Sequence, residues 1–316
     1  MISHRLDIHT IEKASQIIDP VFLQSPQFLH EPLSDLLGCK LLLKVETINP
    51  IRCFKGRGAD FLVSQAKENE LVCASAGNFG QAMAYACRKA NKKLTVYAST
   101  KANPLKIERM QSLGAEVILS GEDFDAAKSM AKQVAKEKNL RFVEDGLDIE
   151  TLAGAGSIGL ELTKQFSNID SILIPLGNGA LLNGVARVFK EKSPSTIAIA
   201  IQAAGAPAMV ESWKENKLIS HSHINTIADG IGVRIPIAQA LEDMKGLADD
   251  GMLVSEASII EAMKLLHIHA GLVVEPSGAV GLAAILENKN DFKNKTVATI
   301  VCGGNLTEEQ IKKWLS

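Results

Sequence analysis

The sequence has no excess of charge of one sign: 34 Lys and Arg against 36 Asp and Glu leave a formal net charge of -2. With the two signs interspersed there is no basic stripe for nucleic acid or an anionic membrane surface, so small molecules are the expected partners. Long hydrophobic runs are missing too. None approaches the roughly 20 residues of a membrane span, and the start, Met1-Ile-Ser-His-Arg-Leu-Asp7, lacks the apolar centre of a signal peptide. Cysteine is sparse: Cys39, Cys53, Cys73, Cys87 and Cys302 are odd in number, scattered and mostly set among apolar neighbours. That is no disulfide framework, and it fits a reducing cytoplasm. Low-complexity segments, internal repeats and long linkers are absent as well.

What is present is 316 residues, 46% of them hydrophobic, enough for one large or two modest domains with a core that can bury a cofactor. Residues 10–25 read as a helix followed by a loop holding Pro20 and Pro26, and Leu33 to Leu37 as a short ordered connection. Leu41, Leu42, Leu43 and Val45 form an apolar run of buried-strand character, Asn49-Pro50 breaks it, and residues 56–66 read as helix. Strands at 71–74, 94–98 and 116–119 then alternate with helices at 79–90, 104–113 and 124–138. A second series places helices at 156–166, 181–189, 259–269, 278–286 and 308–314 among strands at 171–175, 197–202 and 297–301. This alternation predicts an α/β fold of open, mostly parallel sheets with crossover helices, its ligand beyond the carboxyl ends of the strands.

The chain's organising stretch is Lys44-Val-Glu-Thr-Ile-Asn-Pro-Ile-Arg-Cys-Phe-Lys-Gly-Arg-Gly-Ala59. Lys55 stands at a predicted helix N-terminus, whose partial positive charge disfavours a cation and favours a neutral amine. Beside Phe54, and with Gly56 and Gly58 permitting close approach, such a lysine is suited to condense with an aldehyde cofactor. A surface lysine in a basic Lys-Gly-Arg turn is the alternative. Two glycine loops follow predicted strands: Ser75-Ala-Gly-Asn-Phe-Gly-Gln81 and Gly177-Asn-Gly-Ala-Leu181. Converging N–H groups before a helix make the second a phosphate cradle, although strand-to-helix glycine turns are common in any α/β protein. The first is another anion site, unless Ser75 or Asn78 serves only as a helix cap. Cys302-Gly-Gly-Asn305 ends a further apolar strand, where a cysteine is either structural or part of a site.

With Glu275-Pro-Ser-Gly278, these blocks in this order resemble the pyridoxal-phosphate enzymes of fold type II, most closely the threonine and serine dehydratase branch. The resemblance covers nearly the whole chain. It implies two open, mostly parallel-sheet α/β domains sharing a central cleft, as in tryptophan-synthase-β-like folds. A smaller substrate domain (70–146) would be inserted into a larger cofactor domain (1–69 and 147–316). Lys55 would be the cofactor-bearing lysine and the general base, with Phe54 beside it. Gly177, Asn178, Gly179, Ala180 and Leu181 would hold the cofactor phosphate, Asn178 and Ala180 standing where the family's usual loop has glycine. Ser75, Ala76, Gly77 and Asn78 would take the substrate carboxylate, and Asn78 also the cofactor's 3-hydroxyl. Phe79 replaces the family's usual histidine. Cys302 would face the pyridine nitrogen, where a thiol cannot hold a proton as a carboxylate would. The ring then stays neutral, which favours rapid β-elimination over reprotonation.

The implied activity is conversion of a β-hydroxy amino acid such as L-threonine or L-serine to a 2-oxo acid and ammonia, by a homodimer. A racemase and a β-replacement synthase of the same fold are the competing readings. Against the racemase stands Ala76, where racemases of the family carry a serine as second base. Asp229-Gly230 resembles a segment near the cofactor; Glu275 either faces the ring or is a helix-entry carboxylate before Pro276. No metal is expected. His221/His223 and His267/His269 lack the i, i+4 spacing of helical ligands, and the positions at which racemase-like members hold a divalent ion fall on Gln202, Ala206 and Ala208, which lack carboxylate charge. Activity is therefore expected to be unchanged by chelation. Only a helix follows Asn305, so isoleucine inhibition through an appended effector domain is not expected.

Overall fold

The computed structural model describes residues 4–316, so Met1–Ser3, part of the start read above, lie outside the described residues. Ten strands among those residues form two sheets. β1 (Gln27–Leu29), β2 (Lys40–Val45), β7 (Ser171–Pro175), β8 (Ile197–Ala203), β9 (Asp250–Val254) and β10 (Thr296–Val301) make the larger, in the order β1-β2-β10-β7-β8-β9. β3 (Glu70–Ala74), β4 (Lys93–Ala98), β5 (Glu116–Leu119) and β6 (Arg141–Val143) make the smaller, in the order β5-β4-β3-β6. Every pairing is parallel except β1 with β2. The α/β architecture read from the alternation is thus the one observed.

Burial explains why these segments are strands. All five residues of β7 and the last five of β10 are buried, the continuous apolar pattern of parallel strands covered on both faces. The two sheets meet through helices: Lys55–Gln65 packs on Asn78–Lys89, which follows β3, and on Ile149–Gln165, which packs in turn on Ala180–Lys192.

One charged cluster lies inside this packing. Arg57, with no exposed surface, donates from Nε to Glu46 Oε2 at 2.9 Å and from Nη1 to Glu161 Oε1 at 2.6 Å and Ser157 Oγ at 2.9 Å. Lys44 pairs with Glu161 and donates to the Ser25 carbonyl at 2.9 Å. Because the groups are paired and hydrogen-bonded, their burial is tolerated. Arg57 thereby pins the first turn of the helix that carries Lys55.

The structure corrects several expected elements. The helix predicted to begin at Gly156 begins at Ile149. The missing side chain of Gly154 lets two helices touch: a Cβ there would lie 2.5 Å from the Arg57 carbonyl oxygen. Leu33 to Leu37 is no mere connection but the end of helix Glu31–Leu37, closed by Gly38 at φ 72°. β1 and β6 have three residues each, too few for a period to register, and β9 opens on Asp250-Gly251, which reads as a turn.

Candidate active site

A cavity of about 740 Å³ opens at the carboxyl ends of strands from both sheets. The chain leaving β2 brings Phe54 and Lys55, β3 delivers Ser75–Asn78, β6 delivers Glu144 and Asp145, β7 delivers Gly177–Leu181, and β10 delivers Cys302. Every site residue named from the sequence lines this one space.

Lys55 is the first residue of its helix. Its Nζ lies 2.5 Å from Asp145 Oδ2 and 4.4 Å from the centre of the Phe54 ring. The amine at the helix end is faced by a carboxylate just after β6, a strand that was not read from the sequence. Asp145 Oδ1 is buried and has no hydrogen-bond partner among the described residues. Gly146 holds this turn in place. It has φ 83°, its N–H donates to Thr151 Oγ1 at 3.2 Å, and a Cβ there would fall 2.0 Å from the Asn178 carbonyl oxygen.

The Gly177 loop has the form of an anion cradle. Gly179, at φ 91°, caps helix Ala180–Lys192, and no hydrogen bond among the described residues uses the N–H groups of Gly177, Asn178 or Gly179. A Cβ on Gly177 would press on the Gly230 carbonyl oxygen at 3.2 Å. Free amides at a helix N-terminus attract an anion without a charged side chain.

In the Ser75 loop, the hydroxyl oxygen accepts from the Gly77 and Gly80 N–H groups at 3.2 and 2.9 Å. Ser75 thus caps its own loop while its hydroxyl proton stays available. Asn78 donates from Nδ2 to Glu275 Oε1 at 2.7 Å, and its Oδ1 accepts from Asn305 Nδ2 at 2.9 Å. Glu275 also accepts the Asn305 N–H at 3.0 Å. It heads helix Pro276–Glu287 but caps nothing with its side chain. Burial, and then the charge of Asp229, push its carboxyl up to about 7.

Cys302 is buried, its Sγ 3.5 Å from the Ser277 carbonyl oxygen, and burial raises its thiol well above the ordinary value. It therefore keeps its proton. Next to it the Ser277 hydroxyl is buried with no partner. Lys106 reaches the cavity from helix Pro104–Ser112 and pairs with Asp229. Asp145, Ser277 and Lys106 escaped the sequence reading. Ser277 lies within a quoted motif, and Asp145-Gly146 is an acid-glycine pair, but neither signal has meaning until the strands beside it are known.

The histidine pairs assemble no site. His221 Nε2 lies 2.7 Å from Glu211 Oε2, while His267 and His269 sit on helix Glu256–Ala270. Among the described residues no group of three or more His, Cys, Asp or Glu is arranged to hold a metal ion, and no helix is long and apolar enough to cross a membrane.

An amine at one helix N-terminus, an anion cradle at a second and a protonated thiol in the same cavity define a site for a phosphorylated aldehyde cofactor. The chain belongs to the pyridoxal-phosphate dependent enzyme family, whose pattern it matches over residues 18–303. It is 33% identical to the catabolic L-threonine dehydratase of Staphylococcus aureus over 312 residues, 96% of this chain and 90% of that one. It is 32% identical to the L-threonine ammonia-lyase of Thermotoga maritima, over 98% of this chain and 78% of the other. The structure of the processed form of threonine deaminase isoform 2 from Solanum lycopersicum matches with a TM-score of 0.88 at 30% identity, covering 97% and 88% of the two chains. Maize serine racemase matches with a TM-score of 0.90 at 28% identity, over 97% and 96%.

The residues present fit pyridoxal 5'-phosphate. The unpaired amides of Gly177–Gly179 suit its phosphate, and the unpartnered Ser277 hydroxyl beside Cys302 is a buried polar atom that a bound group can satisfy.

Proposed function

We propose that the chain catalyses the pyridoxal-phosphate-dependent β-elimination of a β-hydroxy amino acid such as L-threonine or L-serine, giving a 2-oxo acid and ammonia. The observation that carries this reading is the position of Lys55 Nζ in one cavity with the Gly177–Leu181 cradle, the Ser75–Asn78 loop and the Cys302 thiol. When bound, the cofactor supplies the electron sink that makes the α C–H acidic. Lys55 binds it, and as a free amine takes the α-proton. The N–H groups of Gly177 to Leu181 hold its phosphate. The backbone of Ala76 and Gly77 and the Ser75 hydroxyl hold the substrate carboxylate, and Asn78, braced by Glu275 and Asn305, orients the ring. Cys302 keeps its own proton and leaves the pyridine nitrogen unprotonated, which favours expulsion of the β-group.

A racemase would need a proton carrier on the opposite face, and the methyl group of Ala76 cannot serve. A β-replacement synthase would need room for a second substrate, and no observation favours it. Residues 70–146 form the smaller domain in this reading, supported by their self-contained four-stranded sheet. A homodimer in the cytoplasm completes it, supported on the second point by five cysteines that are all free thiols.

The test is Lys55→Ala. Turnover of threonine and serine should fall below about a thousandth of the wild-type kcat, with the circular dichroism spectrum unchanged and no cofactor fixed to the protein by borohydride. Retention of activity above that level would overturn the assignment.

A further inference from the structure

Most carboxylates around the cavity are paired with cations that the reaction does not occupy. Asp125 and Asp123 meet Arg234 at 2.6 and 3.2 Å, Glu144 meets Lys128 and Lys132 at 3.0 and 2.6 Å, and Asp229 meets Lys106. Asp145 has only Lys55 as its cation, with its second oxygen, Oδ1, buried and unpartnered. Lys55 is the residue that the reaction occupies. Once its amine is engaged, the Asp145 carboxylate is left at the reacting centre with no counter-charge. The backbone on both sides of it is held. Gly146 is clamped against Asn178 of the phosphate cradle, and the Asp148 carboxylate accepts the Glu144 N–H at 2.7 Å. A largely buried carboxylate with one oxygen unpartnered calls for a donor, and a charged donor bonds it roughly twice as strongly as a neutral one.

We propose that Asp145 determines specificity by taking a cationic group on the substrate's β-carbon, so that β-amino amino acids are preferred to β-hydroxy ones. The proposal rests on the reading of Lys55 as the base of a β-elimination and names the substrate class of that same site. The step balances without another reagent. Lys55 takes the α-proton, the Cα–H electron pair becomes the Cα–Cβ double bond, and the Cβ–N bond breaks with its pair leaving on ammonia. A β-ammonium already carries its proton, so no acid is needed to release it, whereas a β-hydroxyl needs one. Hydrolysis of the resulting enamine consumes one water, so each diamine yields one 2-oxo acid and two ammonia.

The experiment compares kcat/KM of the holoenzyme for 2,3-diaminopropionate, serine and threonine by release of 2-oxo acid, for the wild type and Asp145→Asn. The wild type should prefer the diamine by at least about tenfold. In Asp145→Asn, checked for cofactor loading by its visible absorbance, that ratio should fall about thirtyfold, the low end of what removing one partner of a buried charge pair costs. A wild-type preference for serine or threonine would overturn the proposal, and this arm does not depend on the variant folding. An equal loss on all three substrates in Asp145→Asn would also overturn it, since Asp145 would then only position Lys55. If none of the three gives a 2-oxo acid, the eliminating reading of the site falls, and the proposal with it.

Discussion

Glu275 shows what a single buried carboxyl contributes when its neighbours are donors and not cations. Asn78 Nδ2 and the Asn305 N–H both point at it, yet burial outweighs them and its carboxyl titrates at about 7. The native state therefore binds a proton that the unfolded chain, titrating near 4.5, releases earlier. For a group whose folded pKa is raised, the stabilising contribution is complete below the unfolded pKa and is lost as pH rises through the folded one. The window is pH 4.5 to 7. In Glu275→Gln this dependence disappears, so the stability of the variant relative to wild type should rise with pH by up to about 3 kcal/mol between pH 5 and pH 8. Denaturant unfolding at the two pH values measures it, and a constant difference would show that Glu275 titrates as an ordinary carboxyl.

At the scale of the element, the site is made by turns at strand ends, and glycine decides the one at Gly146, as comparison with the helix-capping Gly38 outside the site shows. Gly38 and Gly146 both have positive φ, 72° and 83°, but a Cβ on Gly38 meets nothing within 4 Å while one on Gly146 falls 2.0 Å from the Asn178 carbonyl oxygen. Gly38→Ala should cost only the backbone strain, about 1 kcal/mol. Gly146→Ala must also displace the phosphate loop, and should weaken cofactor binding by more than about tenfold, or about 1.4 kcal/mol. Titration of the apo-protein with pyridoxal phosphate separates the two, and equal effects would mean that the Gly146 turn does not support the cradle.

These turns also mark how much was legible beforehand. Lys55, the Ser75 and Gly177 loops and Cys302 follow long apolar strands, so their sequence context announces them. Asp145 follows a strand of three residues and was missed, although it makes the shortest polar contact to Lys55. The helix starting at Ile149 was shortened for a related reason: glycines that weaken a helix in isolation are selected here by contact with its neighbour, which no local pattern records.

On the scale of the whole molecule, the two sheets are tied across the cleft by few side chains. Arg109 donates to Asn305 Oδ1 at 3.1 Å, Lys106 pairs with Asp229, and Arg234 bonds Asp125 Oδ2 from Nε and Nη2 at 2.9 and 2.6 Å. Arg234 ends the segment that lines the cavity with Ser222, His223 and Ile224, and its carbonyl accepts the His221 N–H at 3.1 Å. Partly exposed pairs of this kind contribute at most about 1 kcal/mol to stability. Their effect is on geometry, because they hold one wall of the cavity to helices Pro104–Ser112 and Phe124–Glu137 of the other sheet. Arg234→Ala should leave the melting temperature within about 4 °C of wild type. KM should rise roughly threefold to tenfold, reflecting loss of a contact worth about 1 kcal/mol to the geometry of the cavity wall. Added salt should raise the wild-type KM in the same direction, since screening weakens exposed pairs first, and should leave the variant almost unaffected. A variant with unchanged KM, or one equally sensitive to salt, would show that the cavity wall does not depend on this bridge.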